Sequence, residues 1–382
     1  MGKTSQTPEP AVLERDRLQL LLDVLKKGGY RVLGPTVRDQ AVVYDDLASL
    51  ADAPAGWTDE QNGGTYRLKK RADGALFGYV NGPTSWKKFL HPAVVRLWRA
   101  KTGGNGFQLE EGPEKAGKFA FIGVRSCDLH AIAIQDKVFL DGKYSDPVYK
   151  ARRQNNFMVA VNCGHASGTC FCVSMKTGPK TTAGFDLALT EVVEAKRHYF
   201  VVEVGTKQGA EVLDKVPHKV ASAEEKAKAE GIVAKAARQM GRTMNTKGIK
   251  ELLYRNYENA RWDNVAKRCL TCGNCTLVCP TCFCTSVEDE TDLTGEHVER
   301  WRKLDSCFTM DFSYIHGGSI RSSARARYRQ WMTHKLSTWI DQFGTSGCVG
   351  CGRCITWCPV GIDITEEAAA IRQSEKSPQK GA

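Results

Sequence analysis

The chain has 382 residues, 42% of them hydrophobic and 25% charged, which is an ordinary globular composition and enough length for two domains. No apolar run approaches the roughly 18 residues that a membrane helix needs. The polar start, MGKTSQTPEP, lacks the apolar stretch of a secretory signal. We therefore expect a cytoplasmic protein with no membrane span.

The first two hundred residues alternate helical and extended patterns. Residues 11–27 have apolar positions spaced as in an amphipathic helix, which two glycines end. Three apolar runs predict buried strands: FAFIGV at 119–124, FMVAVN at 157–162 and YFVVEV at 199–204. The segment after the first run, RSCDLHAIAIQDKVF, predicts a helix. These patterns predict an α/β domain over residues 1–205, with some parallel strands.

The composition changes after this first domain. Residues 206–245 include ASAEEKAKAEGIVAKAARQMGR, which is rich in Ala, Lys and Glu and predicts a charged helical connector. Residues 246–382 are dense in cysteine and predict a mostly helical domain, with helices at 247–262 and 324–343. In the second helix, apolar residues recur every three or four positions up to Gly344. The expected fold class is therefore mixed, α+β: an α/β domain followed by a mostly helical one.

Fifteen cysteines are too many for a cytoplasmic protein that uses them only as core residues. Disulfides are improbable in that compartment, so metal or redox chemistry is the favoured interpretation. Two stretches share the spacing C-x2-C-x2-C-x3-C-P, with which bacterial ferredoxins bind iron–sulfur clusters. They are CLTCGNCTLVCP at 269–280 and CVGCGRCITWCP at 348–359.

This spacing has a physical basis. Three cysteines at intervals of three wrap a tight loop and direct their thiolates at one [4Fe–4S] cluster, while the fourth ligates the other cluster in two-cluster ferredoxins. Gly273 and Gly352 lack a Cβ and let the backbone fold closely, and Pro280 and Pro359 end the turn. The expected ligation is therefore crossed: Cys269, Cys272, Cys275 and Cys358 hold one cluster, and Cys279, Cys348, Cys351 and Cys354 hold the other.

The alternative is a pair of four-thiolate zinc sites. Zinc sites normally use C-x2-C pairs separated by a spacer, not three cysteines in step followed by Cys-Pro. Two such runs in one chain favour clusters. Clusters also weaken the case for a nucleic-acid partner, which the formal charge of +11 would otherwise suggest, because cluster thiolates cancel part of that charge.

The sequence Thr-Cys-Phe-Cys occurs twice, at 169–172 and 281–284. The first copy lies in the α/β domain, where two more cysteines follow predicted strands, and sites gather at the carboxyl ends of strands in such sheets. One interpretation is a third [4Fe–4S] site; the other is two structural thiols and a coincidental pair. The residues concerned are Cys127, Cys163, Cys170 and Cys172.

The second copy follows a complete ferredoxin run. Its two cysteines and one later cysteine have no assigned ligand role, and packing beside a cluster is favoured over a further metal; they are Cys282, Cys284 and Cys307. Basic residues flank the runs: Arg268, Arg353 and the stretch RSSARARYR at 321–329. These residues would raise cluster potentials, dock an acidic partner, or offset cluster charge at the surface.

Several motifs are absent from the sequence. It contains no P-loop and no credible G-x-G-x-x-G after a strand, so we expect neither nicotinamide nor flavin on this chain. No G-x-S-x-G elbow or zinc-type histidine pair occurs either. We assign no catalytic residue and expect a protein that moves electrons without transforming a substrate of its own.

Motifs beyond the cysteine runs carry a family resemblance. In order, the chain contains GPTSWKKFL at 82–90, GVRSCDLHAIAIQDKVF at 123–139, NCGHASGTCFCVSMKTGP at 162–179, CLTCGNCTLVCPTCFCTSVED at 269–289 and CVGCGRCITWCPVGID at 348–363. It resembles the β subunit of cytoplasmic, sulfhydrogenase-type NiFe hydrogenases and the related A subunit of anaerobic sulfite reductase. The segment SYIHGGSIRSS at 313–323 departs from the expected order of Gly-Gly-His, which leaves His316 without a role.

The resemblance implies an electron-transfer subunit of a larger complex. A partner subunit would carry FAD and exchange electrons with NAD(P)H, and this chain would relay them toward the small and large subunits of a NiFe hydrogenase. The alternative terminal partner is a sirohaem sulfite reductase subunit. The eight cysteines of the two ferredoxin runs match the family motifs, as do the four of the possible third site, and the module resembles the α-helical ferredoxin type.

Overall fold

A computed structural model describes residues 9–80, 82–103, 106–112 and 116–375. Residues 1–8 of the polar start lie outside this part of the chain. Within the described ranges, no helix is long and apolar enough to cross a membrane.

Sixteen strands form in the described residues: β1 (Ala11–Glu14), β2 (Tyr30–Arg38), β3 (Ala41–Asp46), β4 (Trp57–Asn62), β5 (Thr65–Lys70), β6 (Val94–Gly103), β7 (Gly106–Glu111), β8 (Lys118–Val124), β9 (Phe157–Val161), β10 (Leu187–Glu194), β11 (Arg197–Val204), β12 (Lys219–Val220), β13 (Thr285–Thr291), β14 (His297–Leu304), β15 (Tyr314–Ile315) and β16 (Gly318–Ser319).

The α-helices of the same ranges are α1 (Leu18–Lys27), α2 (Lys87–Leu90), α3 (Ser126–Phe139), α4 (Pro147–Arg153), α5 (Cys172–Met175), α6 (Lys207–Leu213), α7 (Ala223–Arg238), α8 (Ile249–Arg255), α9 (Arg261–Ala266), α10 (Asn274–Leu277), α11 (Ala324–Thr333), α12 (Trp339–Phe343), α13 (Arg353–Thr356) and α14 (Ile364–Ser374). Short 3-10 turns lie at Arg15–Arg17, Leu50–Asp52 and Asp311–Ser313, and a π-helical turn at His334–Thr338 joins α11 to α12.

The first part of the chain is built on an eight-stranded mixed sheet. Its strand order is β12-β1-β11-β10-β9-β8-β2-β3. The pairs β2/β8, β8/β9 and β9/β10 are parallel, as the sequence predicted for part of this sheet, and the remaining pairs are antiparallel. The central strands are apolar on both faces because helices cover them, and β9 is buried at every position. Consequently α3 and the residues after β9 meet at the carboxyl edge of these strands.

A smaller sheet joins distant parts of the chain. Its order is β13-β14-β6-β7, so a hairpin that follows the first ferredoxin run pairs with a hairpin that precedes β8. The C-terminal part therefore contains helices and small sheets, and the expected mixed α/β class is confirmed. In the connector, β12 extends the large sheet, and Ala229 of α7 is buried against Val192 and Val201 of that sheet.

Three predicted helices differ from the structure. The helix at 11–27 is wrong over residues 11–17, since α1 begins at Leu18. Residues 11–14 form β1, which pairs with β11 and β12, because long-range strand pairing overrides local periodicity. The helix at 247–262 is interrupted between α8 and α9. The helix at 324–343 forms, but a π-helical turn at His334–Thr338 lies in its middle.

Candidate metal centre

The four cysteines of the first predicted set line one cavity. Three of them belong to the loop around α10, and Cys358 comes from the end of the second run. The rest of the cavity is largely apolar, with Phe308, Tyr328 and Trp331 on its walls. Cys272 is exposed, so this set lies at the protein surface. Cys354 of the second run also lines the cavity. A surface cavity with the four thiols of the first set and apolar walls suits a [4Fe–4S] cluster.

The thiols of this set influence one another. Burial raises the pKa of Cys275 well above its ordinary value, and the neighbouring Cys269 and Cys358 raise it further. Burial likewise raises the pKa of Cys269. Binding of a metal centre by these thiols would therefore release protons.

The cysteines of the second run lie near Cys279, which belongs to the first run. Cys279 is buried, and its charge raises the pKa values of Cys348, Cys351 and Cys354. Burial is the larger cause at each, and it brings the pKa of Cys348 to about 12. Cys279 itself differs, because a hydrogen bond from Cys282 holds its pKa well below the ordinary value. Cys279 thus lies near the cysteines of the second run, and the crossed ligation stays a prediction.

The third set lies at the edge of the large sheet, where three of its cysteines are buried and Cys163 is partly exposed. Cys127 lies on α3, Cys163 follows β9, and Cys170 and Cys172 lie at the start of α5. Burial, with a smaller contribution from Cys163, raises the pKa of Cys170 to about 12. Cys127 and Cys172 share an apolar cluster with Val349, against which Cys351 packs. The third set therefore adjoins the second.

Both Thr-Cys-Phe-Cys copies contact the second ferredoxin run. In the first copy, the Phe171 amide donates to the Gly350 carbonyl over 2.9 Å. In the second copy, the Thr281 hydroxyl donates to the Gly347 carbonyl over 2.7 Å. The repeated motif therefore lies on two sides of one loop, a role that sequence reasoning missed although the repetition itself was visible.

The donor geometry bears on the zinc alternative. In the described part of the chain, no three or more His, Cys, Asp or Glu side chains are arranged to hold a single metal ion. A zinc site needs four donors around one ion, whereas a cubane spreads four thiolates over its separate irons. Metal analysis of the purified protein distinguishes the two kinds of site.

Two comparisons with known proteins agree with this geometry. Residues 268–362 match the family model of the 4Fe-4S dicluster domain. Over 265 residues the chain is 33% identical to the sulfhydrogenase 2 subunit beta of Pyrococcus furiosus, which covers 67% of this chain and 75% of that protein. The chain belongs to the sulfhydrogenase β-subunit family. It is an iron–sulfur electron-transfer subunit whose dicluster domain binds two [4Fe–4S] clusters. No solved structure matches it.

In this sulfhydrogenase-type chain, Arg353 lies in the protein interior. Its side chain is 1% exposed and forms a bidentate ion pair with Asp128, with Nη1–Oδ1 at 2.8 Å and Nη2–Oδ2 at 3.2 Å. For Arg353, this burial excludes the two interpretations that need an exposed side chain, partner docking and charge compensation at the surface. The pair connects α3 to the second ferredoxin run. Arg268, by contrast, is partly exposed and binds Glu367.

The three cysteines without a ligand role lie next to the clusters. Cys282 is buried beside Cys279 in the core that surrounds the two runs. Cys284 and Cys307 are half-buried and hydrogen-bond each other, which lowers the pKa of Cys284 to about 7. These positions agree with the interpretation that the three cysteines pack beside the cluster sites.

Substitution of Gly352 tests how closely the first Thr-Cys-Phe-Cys copy approaches the run. Gly352 has φ +77°, and a Cβ there would lie 2.5 Å from the Thr169 carbonyl oxygen. Gly344 has a similar φ of +69° but open space around it. We expect Gly344→Ala to cost about 1 kcal/mol of unfolding free energy from backbone strain alone, and Gly352→Ala about 2–3 kcal/mol more.

Chemical unfolding of the cluster-loaded protein measures both values. Equal losses of unfolding free energy for the two variants would contradict the expectation that a Cβ at residue 352 collides with Thr169.

Proposed function

We propose that this chain is the electron relay of a hydrogenase complex, between a flavin subunit that exchanges electrons with NAD(P)H and the small and large subunits of a NiFe hydrogenase. The observation that carries the proposal is the contiguity of the three cysteine sets. The first opens to the surface at Cys272, the second shares Cys279 with the first run, and the third packs on the second through Cys351. When bound, each cluster supplies one-electron transfer.

The ligands follow from these groupings. Cys269, Cys272, Cys275 and Cys358 would hold the first cluster, and Cys279, Cys348, Cys351 and Cys354 the second. Cys127, Cys163, Cys170 and Cys172 would hold a third. The second and third sets include buried cysteines and no exposed one, whereas Cys272 leaves the first set accessible to a partner.

A buried guanidinium supports the third cluster. Arg125 is 1% exposed and adjoins Cys163. Besides a hydrogen bond with Cys163, its side chain donates to the carbonyls of Asn162, Phe77 and Tyr79, at 3.4, 2.9 and 2.8 Å. A buried cation without a carboxylate is costly unless another anion is near. A cluster on four thiolates would be that anion.

Isolation of the native complex tests the proposed partners. The tagged chain, purified anaerobically from its own cells, should bring with it a flavin subunit and both NiFe hydrogenase subunits, identified by mass spectrometry. The isolated chain should show no turnover of its own with artificial electron donors. Recovery of a sirohaem protein in place of the NiFe subunits would instead establish the sulfite reductase alternative.

A further inference from the structure

Two lysines are buried at the second cysteine set. Lys335 is 3% exposed and Lys87 is 5% exposed. The Lys335 ammonium donates to the Thr281 hydroxyl at 2.8 Å and to the Gly347 carbonyl at 3.3 Å. The Lys87 ammonium donates to the Cys282 carbonyl at 3.2 Å and, more weakly, to the Leu277 carbonyl at 3.5 Å. Lysine is almost never fully buried unless it is paired.

Neither lysine has a carboxylate partner among the described residues. The ion pairs found in those ranges include other lysines but not Lys87 or Lys335. Both ammonium groups bind segments that carry cluster cysteines. Lys335 binds Thr281, whose hydroxyl lies 3.1 Å from the Cys279 sulfur, and Gly347, which directly precedes Cys348. Lys87 binds the carbonyls of Leu277 and Cys282, on either side of Cys279. The negative charge that can compensate these cations is therefore the thiolate-bound cluster of the second set.

The backbone around Lys335 departs from regular α-helix. The residue lies in the π-helical turn at His334–Thr338, which interrupts an otherwise continuous helix. Single π turns within helices are rare and occur frequently at functional sites. Here the π-helical segment carries a lysine whose ammonium reaches the loop before Cys348 instead of solvent.

We propose that the buried positive charges of Lys335 and Lys87 raise the reduction potential of the cluster held by the second cysteine set. Reduction adds one negative charge to that cluster. A fixed positive charge in a water-excluded site stabilises the reduced form more than the oxidised form, because Coulomb interactions are strong at low dielectric. The inference rests on the proposed function, since it requires a cluster at this set.

Charge-removing substitutions with measured potentials test the inference. In the cluster-loaded chain, Lys335→Met and Lys87→Met should each lower one midpoint potential and leave the others in place. At a fixed ambient potential, the ratio of reduced to oxidised cluster should fall at least tenfold. For a one-electron couple this corresponds to a midpoint potential lower by about 59 mV. The readout is an anaerobic redox titration followed by electron paramagnetic resonance.

The control is Lys88→Met. Lys88 neighbours Lys87 on α2, but its ammonium contacts the Tyr44 carbonyl, away from the cysteines. If Lys335→Met does not fold, Lys87→Met still decides the question. Unchanged midpoints in a variant that retains full iron would overturn the inference and leave the relay intact, whereas wild-type protein without iron would overturn the relay itself.

Discussion

Cys358→Ser should remove the first cluster, although this cysteine belongs to the second ferredoxin run. The reason is spatial: Cys358 lines the cavity of Cys269, Cys272 and Cys275. We expect loss of about four iron atoms per chain, with the spectrum of the second cluster retained. Iron analysis and electron paramagnetic resonance of the reduced protein measure both quantities.

Double variants separate crossed from uncrossed ligation. Cys272→Ser and Cys358→Ser act on one cluster, so the double variant should lose no more iron than either single one. Cys351→Ser and Cys358→Ser act on different clusters, and their losses should add. Cys307→Ser, outside the ligand sets, is the control and should keep full iron. Additive loss for the first pair would contradict the crossed arrangement.

Asp128→Ala should destabilise the protein by about 3–5 kcal/mol, since removing one partner of a buried ion pair leaves the other charge uncompensated. The charge left behind is the Arg353 guanidinium, whose side chain is fully buried in the second run. Arg353 also donates to the Gly82 carbonyl at 3.1 Å, which replaces only a small part of the lost interaction. Chemical unfolding of the cluster-loaded protein measures the change.

The exposed pair of Arg300 and Asp289 provides the matched control. It is also bidentate, with Nε–Oδ1 and Nη2–Oδ2 both at 2.6 Å, but its side chains are 42% and 50% exposed. Asp289→Ala should therefore change the unfolding free energy little, because solvent screens the pair. A similar loss of unfolding free energy in both variants would show that burial does not increase the contribution of the Asp128–Arg353 pair to stability.

The features predicted well from sequence are those that local spacing encodes. The spacing of the cysteines in the two runs is enough to indicate cluster ligation. The positive φ values of Gly273 and Gly352 follow from the tight loops between ligands. The central strands were identified because continuous apolar runs are typical of buried parallel strands.

The features that sequence did not predict depend on contacts between distant residues. Lys335 occupies a helix whose apolar stripe suggested ordinary packing, and nothing local marks it as buried against residues 281 and 347. Likewise, Asp128 and Arg353 are separated by 225 positions, and only the fold brings them together. The strand at Ala11–Glu14 forms because β11 and β12 pair with it.

Metal and sulfide analysis of anaerobically purified protein is the most direct test of the cluster assignment. Three [4Fe–4S] clusters require about twelve iron and twelve sulfide per chain, and the dicluster domain alone requires about eight of each. We expect about twelve, a brown protein, and a paramagnetic signal after reduction with dithionite. A colourless protein with stoichiometric zinc and no iron would contradict the cubane interpretation of these cysteines.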